Sequence, residues 1–182
     1  EHLLEGMFVY AIYDRSNESL TISRDRVGEK PLFYRFTEDG IIYSSEIKSL
    51  LIHSPENKKL YAKSLSNFLT LGYTVGTSTA FKDIFSLEPG HRIFIKEGKV
   101  KTERWWIFPS LRESNKPTWD KVKDKILPCL EESISTRLEA DAPVGLFLSG
   151  GLDSSLILAL AAKKGLPDNF KTFTASFESE SY

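Results

Sequence analysis

Val144-Gly145-Leu146-Phe147-Leu148-Ser149-Gly150-Gly151-Leu152-Asp153-Ser154-Ser155 is the stretch on which the reading of the chain turns. Residues 144–148 are continuously apolar, the pattern of a parallel strand covered on both faces. The two glycines that follow let the backbone turn tightly and approach a ligand with no Cβ in the way. A helix is expected over 154–164, stopped by Gly165, and a second strand over 171–177. Strand, helix and strand in that order make a βαβ unit. The turn between them has the makings of an anion site, with open N–H groups and the positive end of the helix dipole. The hydroxyls of Ser149, Ser154 and Ser155 add donors. No lysine follows the glycines, which excludes the GxxxxGK[ST] loop, and there is no GxGxxG. Asp153 carries the most information. A carboxylate beside a phosphate repels it unless a divalent cation lies between, so Asp153 points to Mg²⁺ on the phosphates of a ligand. The plainer alternative is an ordinary strand–helix turn with Asp153 or Ser154 as N-cap.

Upstream, Trp119, Val122, Ile126, Leu130, Ile134 and Leu138 recur at steps of three and four, one face of a long helix. Pro128 lies inside it and predicts a kink or a break. Residues 108–117 (FPSLRESNKP) are polar and carry two prolines, the pattern of a linker. Before the linker the chain is β-rich. Residues 7–14 (MFVYAIYD) and 19–23 (SLTIS) flank Asn17-Glu18 and read as an antiparallel hairpin. A charged loop, 24–31 (RDRVGEKP), leads to strands over 32–36 and 41–44. A helix starts near Ser44-Ser45-Glu46, with Ile47, Leu50 and Leu51 at helical spacing, and another covers 62–71, closed by Gly72. Pro89-Gly90 turns into a last hairpin, 91–96 with 99–106. The fold class is therefore α+β followed by α/β, divided as 1–107, a linker at 108–117, and 118–182.

Composition narrows the function. The 182 residues are 41% hydrophobic and 12% aromatic, enough to bury a core, and the formal charge is −1. A balance so near zero argues against a dedicated nucleic-acid binder. The longest strongly apolar stretch, 156–162, is far short of the ~18–20 residues that span a bilayer. No basic segment followed by an apolar one opens the chain. The single cysteine, Cys129, excludes an internal disulfide and an all-cysteine zinc site. These features predict a soluble, cytoplasmic protein with neither a membrane nor a nucleic-acid partner. Strand-like runs close to the first and last residues, with few neighbours to pair with, predict a fragment of a larger protein.

SGGLDSS at 149–155, after an apolar strand, resembles the pyrophosphate loop of the N-type ATP pyrophosphatases. With Asp141-Ala142-Pro143-Val144-Gly145 ahead of it, the segment is similar to glutamine-hydrolysing asparagine synthetases. GMFVYAIYD at 6–14, RDRVGEKPLFY at 24–34 and SSEIKSL at 44–50 resemble the later part of that family's class II glutamine amidotransferase domain. The motifs stand in the family's order and cover most of the chain. The resemblance implies a two-domain ligase. Residues 1–107 would be the C-terminal part of an αββα Ntn-hydrolase-type glutaminase domain. Residues 118–182 would open an adenine-nucleotide α-hydrolase-like (PP-loop) synthetase domain with its first βαβ unit. Such enzymes free ammonia from glutamine and deliver it to an aspartate whose β-carboxylate has been adenylated by MgATP. The products are asparagine, glutamate, AMP and pyrophosphate. The cofactors implied are ATP and Mg²⁺, the substrates aspartate, glutamine and ATP, and the assembly a homodimer.

By motif, Ser149, Gly150, Gly151, Asp153, Ser154 and Ser155 fall at the ATP and pyrophosphate end, with Asp153 reaching Mg²⁺ through the phosphates. Phe147 and, on the strand after the helix, Ala175 or Ser176 fall at adenosine-contacting positions. The family's glutaminase nucleophile is an N-terminal cysteine whose own α-amine serves as base. It would lie upstream of Glu1, with the motifs that hold glutamine, and the aspartate-binding residues would lie beyond Tyr182. No glutaminase catalytic residue is assigned.

The other conspicuous residues read as structural. Cys129, beside Pro128 near an apolar helix face, is expected to be a buried packing residue. His2, His53 and His91 have no second ligand at metal spacing. Arg24, Asp25 and Arg26 read as a solvated or salt-bridged loop, and Trp105-Trp106 as packing between domains rather than a base-stacking platform. Two rival readings remain open. One is a relative using the same adenylation on another acid, an amide-forming tailoring ligase or a cyclase resembling β-lactam synthetase. The other is a non-catalytic nucleotide-binding module.

Overall fold

The aromatic and β-branched run in the first residues, turned at Asn17-Glu18, produces the expected hairpin. β1 (Val9–Asp14) and β2 (Ser19–Arg24) pair antiparallel, Ala11 opposite Ile22. Asp14 closes the turn, its carboxylate accepting from Ser16 N at 2.8 Å, Ser16 Oγ at 2.6 Å and Asn17 Nδ2 at 3.0 Å. The structure is a computed structural model that describes residues 1–53, 58–109 and 118–176. It divides into two compact units, Glu1–Ser110 and Leu111–Tyr182.

In the first unit, β3 (Phe33–Thr37), β4 (Gly40–Ser44), α1 (Ile47–His53), α2 (Ala62–Leu71), β5 (Phe85–Ser86), β6 (His91–Lys96) and β7 (Lys99–Arg104) follow the hairpin. The strands form a four-stranded sheet, β1-β2-β6-β7, and a three-stranded sheet, β4-β3-β5. Ile22, Leu32, Leu87 and Ile93 are fully buried, with Leu20 and Ile95 of one sheet and Tyr34 and Ile41 of the other packed on them. The core therefore lies between the two sheets, and each such apolar side chain contributes about 1.5–3 kcal/mol on burial. α1 lies on β3 and β4 and buries Leu50. α2 ends at Gly72, left-handed at φ 80°, whose N–H bonds Phe68 O. This unit is α+β, as the sequence predicts.

The loop 24–31 differs from its expectation. Val27, Glu29, Lys30 and Pro31 are exposed, but Arg24 and Asp25 at its start are bonded to main chain and not to solvent or an ion partner. Asp25 is 1% exposed, and its carboxylate accepts from the backbone N–H groups of Val27 (3.2 Å), Gly28 (2.7 Å), Glu29 (3.0 Å) and Lys30 (3.0 Å). The Arg24 guanidinium donates to the carbonyls of Lys30, Leu87 and Gly28 and to Ser86 Oγ. A tight loop turns its peptide dipoles inward and leaves N–H groups that only a buried acceptor can satisfy. Trp105 also departs from expectation. It is buried within its own unit, 6.0 Å from Phe8 in a stacked pair and edge-on to His2, with Arg26 5.9 Å above its ring. Following β7, it packs on Phe8 ahead of β1, where a large aromatic buries much apolar area.

In the second unit, α3 (Trp119–Leu138) runs unbroken through Pro128. The proline withholds one backbone donor, but the neighbouring turn is exposed, so water can serve the freed carbonyl and no break is needed. Cys129 is exposed, not buried. Leu130, Ile134 and Leu138 face Ile157 and Ala161 across an apolar cavity, and Cys129 sits one residue, about 100° of helix, off that face. β8 (Gly145–Phe147), α4 (Leu152–Lys164) and β9 (Lys171–Phe173) form the βαβ unit, β8 parallel to β9 with Leu146 opposite Thr172. The expectation that 144–148 is covered on both faces fails. Phe147 is 85% exposed, because the sheet here has two strands and Phe147 finds one ring, Phe173 at 6.0 Å. β9 also stops at Phe173, short of the expected span, whose last residue, Phe177, lies outside the described residues. Most of the expected linker, 110–117, lies outside them too.

Asp25→Asn tests the first unit. Burial alone would raise the Asp25 carboxyl, but the N–H bonds from Lys30, Glu29, Gly28 and Val27 outweigh it and hold its pKa below the usual value. A lowered folded-state pKa adds stability above the unfolded value of ~3.9, and that stability is lost as pH falls through the folded value. Asp25→Asn should cost about 1–3 kcal/mol at neutral pH. The gap between variant and parent should close in melting curves taken below that window, and a gap that persists in acid would refute the assignment.

Candidate functional site at the start of helix α4

The turn between β8 and α4 brings most of the predicted residues together. Gly150 is left-handed, φ 79°, a conformation that favours glycine and reverses the chain out of the strand. The Ser149 hydroxyl accepts from Gly151 N at 3.4 Å and lies 3.1 Å from Ser154 Oγ, which in turn donates to Gly151 O at 3.2 Å. These bonds close the turn on itself. Ser155 N–H pairs with Gly151 O at 3.1 Å, the first bond of the helix, so the amides before it have no intrahelical acceptor. The helix begins at Leu152, two residues earlier than expected, with Gly151 as N-cap and no side-chain cap.

That placement corrects the capping alternative. Asp153 lies in the first turn and not at the cap, and neither it nor Ser154 caps through its side chain. The Asp153 carboxylate is exposed and makes no hydrogen bond or ion pair among the described residues. Its charge sits where the helix dipole favours an anion. Open amides, three hydroxyls and one uncommitted carboxylate fit a polyphosphate whose charge is shared with a divalent cation. Mg²⁺ typically takes one or two carboxylates and completes its shell with phosphate oxygens and water. Among the described residues no group of three or more His, Cys, Asp or Glu could hold a metal by itself. A cation here would thus arrive with the phosphates.

The strand side of the site is less closely gathered. Phe147 presents its ring to solvent beside Phe173. Leu148 N–H bonds Phe173 O at 2.8 Å, and Thr174 Oγ1 donates to Leu148 O at 2.8 Å. These two bonds carry the strand pairing one residue past β8 and β9. Ala175 and Ser176 lie beyond the end of β9, exposed, and not on a strand as expected.

Residues 1–106 match a family model described as a glutamine amidotransferase domain. The chain belongs to that family. Residues 125–182 match a second model, asparagine synthase. Glutamine-hydrolysing asparagine synthetase 3 of Bacillus subtilis is 34% identical over 161 residues, 87% of this chain and 26% of the relative. Asparagine synthetase 2 of the same organism is 33% identical over 187 residues, 96% of this chain and 24% of its own length. Amidase chry2 of Gibberella zeae is 27% identical over 190 residues, 96% of this chain and 28% of the relative. The chain therefore spans about a quarter of the length of these curated relatives.

In the glutamine amidotransferase part, sequence reasoning undervalued Arg24, Asp25 and Arg26. A cluster of charges in a loop looks solvated until the backbone it satisfies is known. The signal was Gly28 within the loop and Pro31 after it, which force a turn too tight to pair its own N–H groups. No helix among the described residues is long and apolar enough to cross a membrane.

Helix α4 is held mainly by α3. Leu160 and Ala161 are buried, whereas Leu156 and Ile157 remain about 40% exposed. Lys163 adds an ion pair to Glu131 of α3 at 2.6 Å. Leu160→Asp should therefore strand a carboxylate between the helices at a cost of about 3 kcal/mol or more. Thermal unfolding of the complete protein would measure it, and an unchanged melting temperature would refute this packing.

Proposed function

We propose that the chain joins the end of an Ntn-type glutaminase domain, residues 1–107, to the start of a PP-loop synthetase domain, residues 118–182, through a linker at 108–117. The activity is that of a glutamine-hydrolysing asparagine synthetase. Ammonia from glutamine attacks an aspartate β-carboxylate activated as its adenylate, giving asparagine, glutamate, AMP and pyrophosphate. Adenylation is the step that needs this turn, because an unactivated carboxylate resists attack and AMP leaves far more readily than oxide. The observation that carries the reading is the uncommitted Asp153 carboxylate beside the open amides of α4.

In this proposal Ser149, Gly150, Gly151, Ser154 and Ser155 hold the pyrophosphate portion of ATP through amides and hydroxyls. Asp153 would hold Mg²⁺ on the phosphates, and a bound ion would supply positive charge beside the leaving pyrophosphate. Phe147, with Ala175 and Ser176, borders the adenosine. The proposed enzyme is a cytoplasmic homodimer with no nucleic-acid partner. A second reading, amide formation on a different acid by the same adenylation, draws support from the similarity to the Gibberella zeae amidase.

Asp153→Asn in the complete enzyme is the test. Asparagine keeps the size, so a structural Asp153 would tolerate it with at most ~1 kcal/mol lost. The amide lacks the charge that offsets the ion, so aspartate-dependent exchange of pyrophosphate into ATP should fall about a hundredfold or more. Raising Mg²⁺ should recover part of it. Near-normal exchange in a folded variant would refute the metal role, and exchange that responds to another acid but not to aspartate would favour the second reading.

A further inference from the structure

A cleft of about 470 Å³ opens in the first unit, at the meeting of the loop after β2, the turn before β6 and the chain leaving β7. Its size falls within the ~300–1,000 Å³ usual for small-molecule sites. Arg26, Glu88, His91, Arg104, Trp106 and Phe108 line it. None of these residues belongs to the turn at α4, and the proposed function uses none of them.

The three segments are stitched together by their main chains. Gly90 N–H bonds Asp25 O at 2.8 Å, and Gly90 O accepts from Trp105 N at 2.9 Å and Trp106 N at 3.2 Å. The contact is close enough that a Cβ at Gly90 would stand 3.0 Å from Trp106 O, and one at Gly28 would stand 2.7 Å from Pro89 Cγ. The Asp25 carboxylate freezes the loop that carries Arg26. The walls of the cleft are thus set before any ligand arrives, which lowers the ordering cost of binding.

The chemistry of the walls is mixed in a particular way. Arg104 spends Nε on Trp106 O at 3.1 Å, and its two terminal nitrogens have no partner among the described residues. Arg26 is anchored by Leu4 O at 2.8 Å and His2 O at 3.4 Å and still brings its charge to the wall. His91 Nδ1 lies 2.8 Å from Pro89 O and its Nε2 3.5 Å from a Glu88 carboxylate oxygen. Two guanidinium groups therefore face one carboxylate. Trp106 and Phe108 meet edge to face, centroids 5.7 Å apart, and supply the apolar side. Guanidinium groups read carboxylate and phosphate oxygens through paired N–H donors, and indole and phenyl rings bury a flat apolar body.

We propose that this cleft binds a small molecule in which one anionic group, a carboxylate or a phosphate monoester, is carried on a flat aromatic ring. Arg104 takes the anion from its free end, Arg26 adds to the field, and Trp106 with Phe108 covers the ring. Glu88 at the rim opposes a second negative group.

Calorimetric titration of the complete protein tests this with benzoate and phenyl phosphate as probes. Benzyl alcohol supplies a ring without charge, and inorganic phosphate a charge without a ring. At least one aryl anion should bind saturably, about tenfold or more tighter than either control, and the tighter of the two identifies the anionic group. Arg104→Ala should weaken it about tenfold or more, the scale of one charged hydrogen bond, with Arg104→Lys between the two. Trp106→Leu should remove the preference for the ring. Arg104 is exposed, so its substitution leaves folding intact, and an unchanged melting curve verifies that. Three results would overturn the proposal: no saturable binding of either probe below about 10 mM, equal binding of phosphate and phenyl phosphate, or binding untouched by Arg104→Ala.

Discussion

The Asp25 carboxylate accepts four backbone N–H groups from one short loop, and its main-chain oxygen accepts a fifth, from Gly90. Those bonds make a charged side chain the centre of the first unit. Without this acceptor, the N–H groups of Val27 to Lys30 would lose their bonds to a charged partner, each worth roughly 1.5–3 kcal/mol. With it, the loop holds Arg24, and Arg24 reaches across to Leu87 and Ser86 beside the core residue Leu32. The sheets meet over Leu32 and Leu87, so the register of the sandwich and the geometry of this loop are fixed together. The ends of the β2 and β7 strands, the Pro89-Gly90 turn and the cleft among them all inherit that constraint.

The second unit is organised by a different element, the left-handed turn at Gly150. It aims the first turn of α4 so that open amides, hydroxyls and one carboxylate converge. The hydrogen bonds among Ser149, Gly151 and Ser154 shape the turn but leave Asp153 unused. An uncommitted charge at a helix start is tolerable because it is exposed and the dipole favours it.

Much of this architecture was legible from residue patterns. Aromatic and β-branched runs set off by turn residues placed 7–14, 19–23 and 91–96 as three strands of the larger sheet, and glycines at 72 and 165 ended two helices where the pattern put them. The phosphate-type turn was legible too, because its chemistry is local: glycines, hydroxyls and a carboxylate within seven consecutive residues. Burial was the weak point. The apolar run through Phe147 and the near-apolar position of Cys129 both read as interior, yet both are exposed. Hydrophobicity reports a preference, and only neighbouring layers decide whether it is met.

The sequence by itself determined most of the strands and helices, though neither β5 nor the early end of β9, and the tight glycine-rich turn ahead of α4. Each of those depends on interactions within a few residues of chain. Tertiary structure alone decided that Asp25 is a buried acceptor, that Trp105 closes its own unit, and that Arg26, His91 and Arg104 share one cleft. Those residues stand 65 and 13 positions apart along the chain. No local pattern encodes their meeting, because it follows from hydrogen bonds between main chains that only the completed sandwich brings within reach.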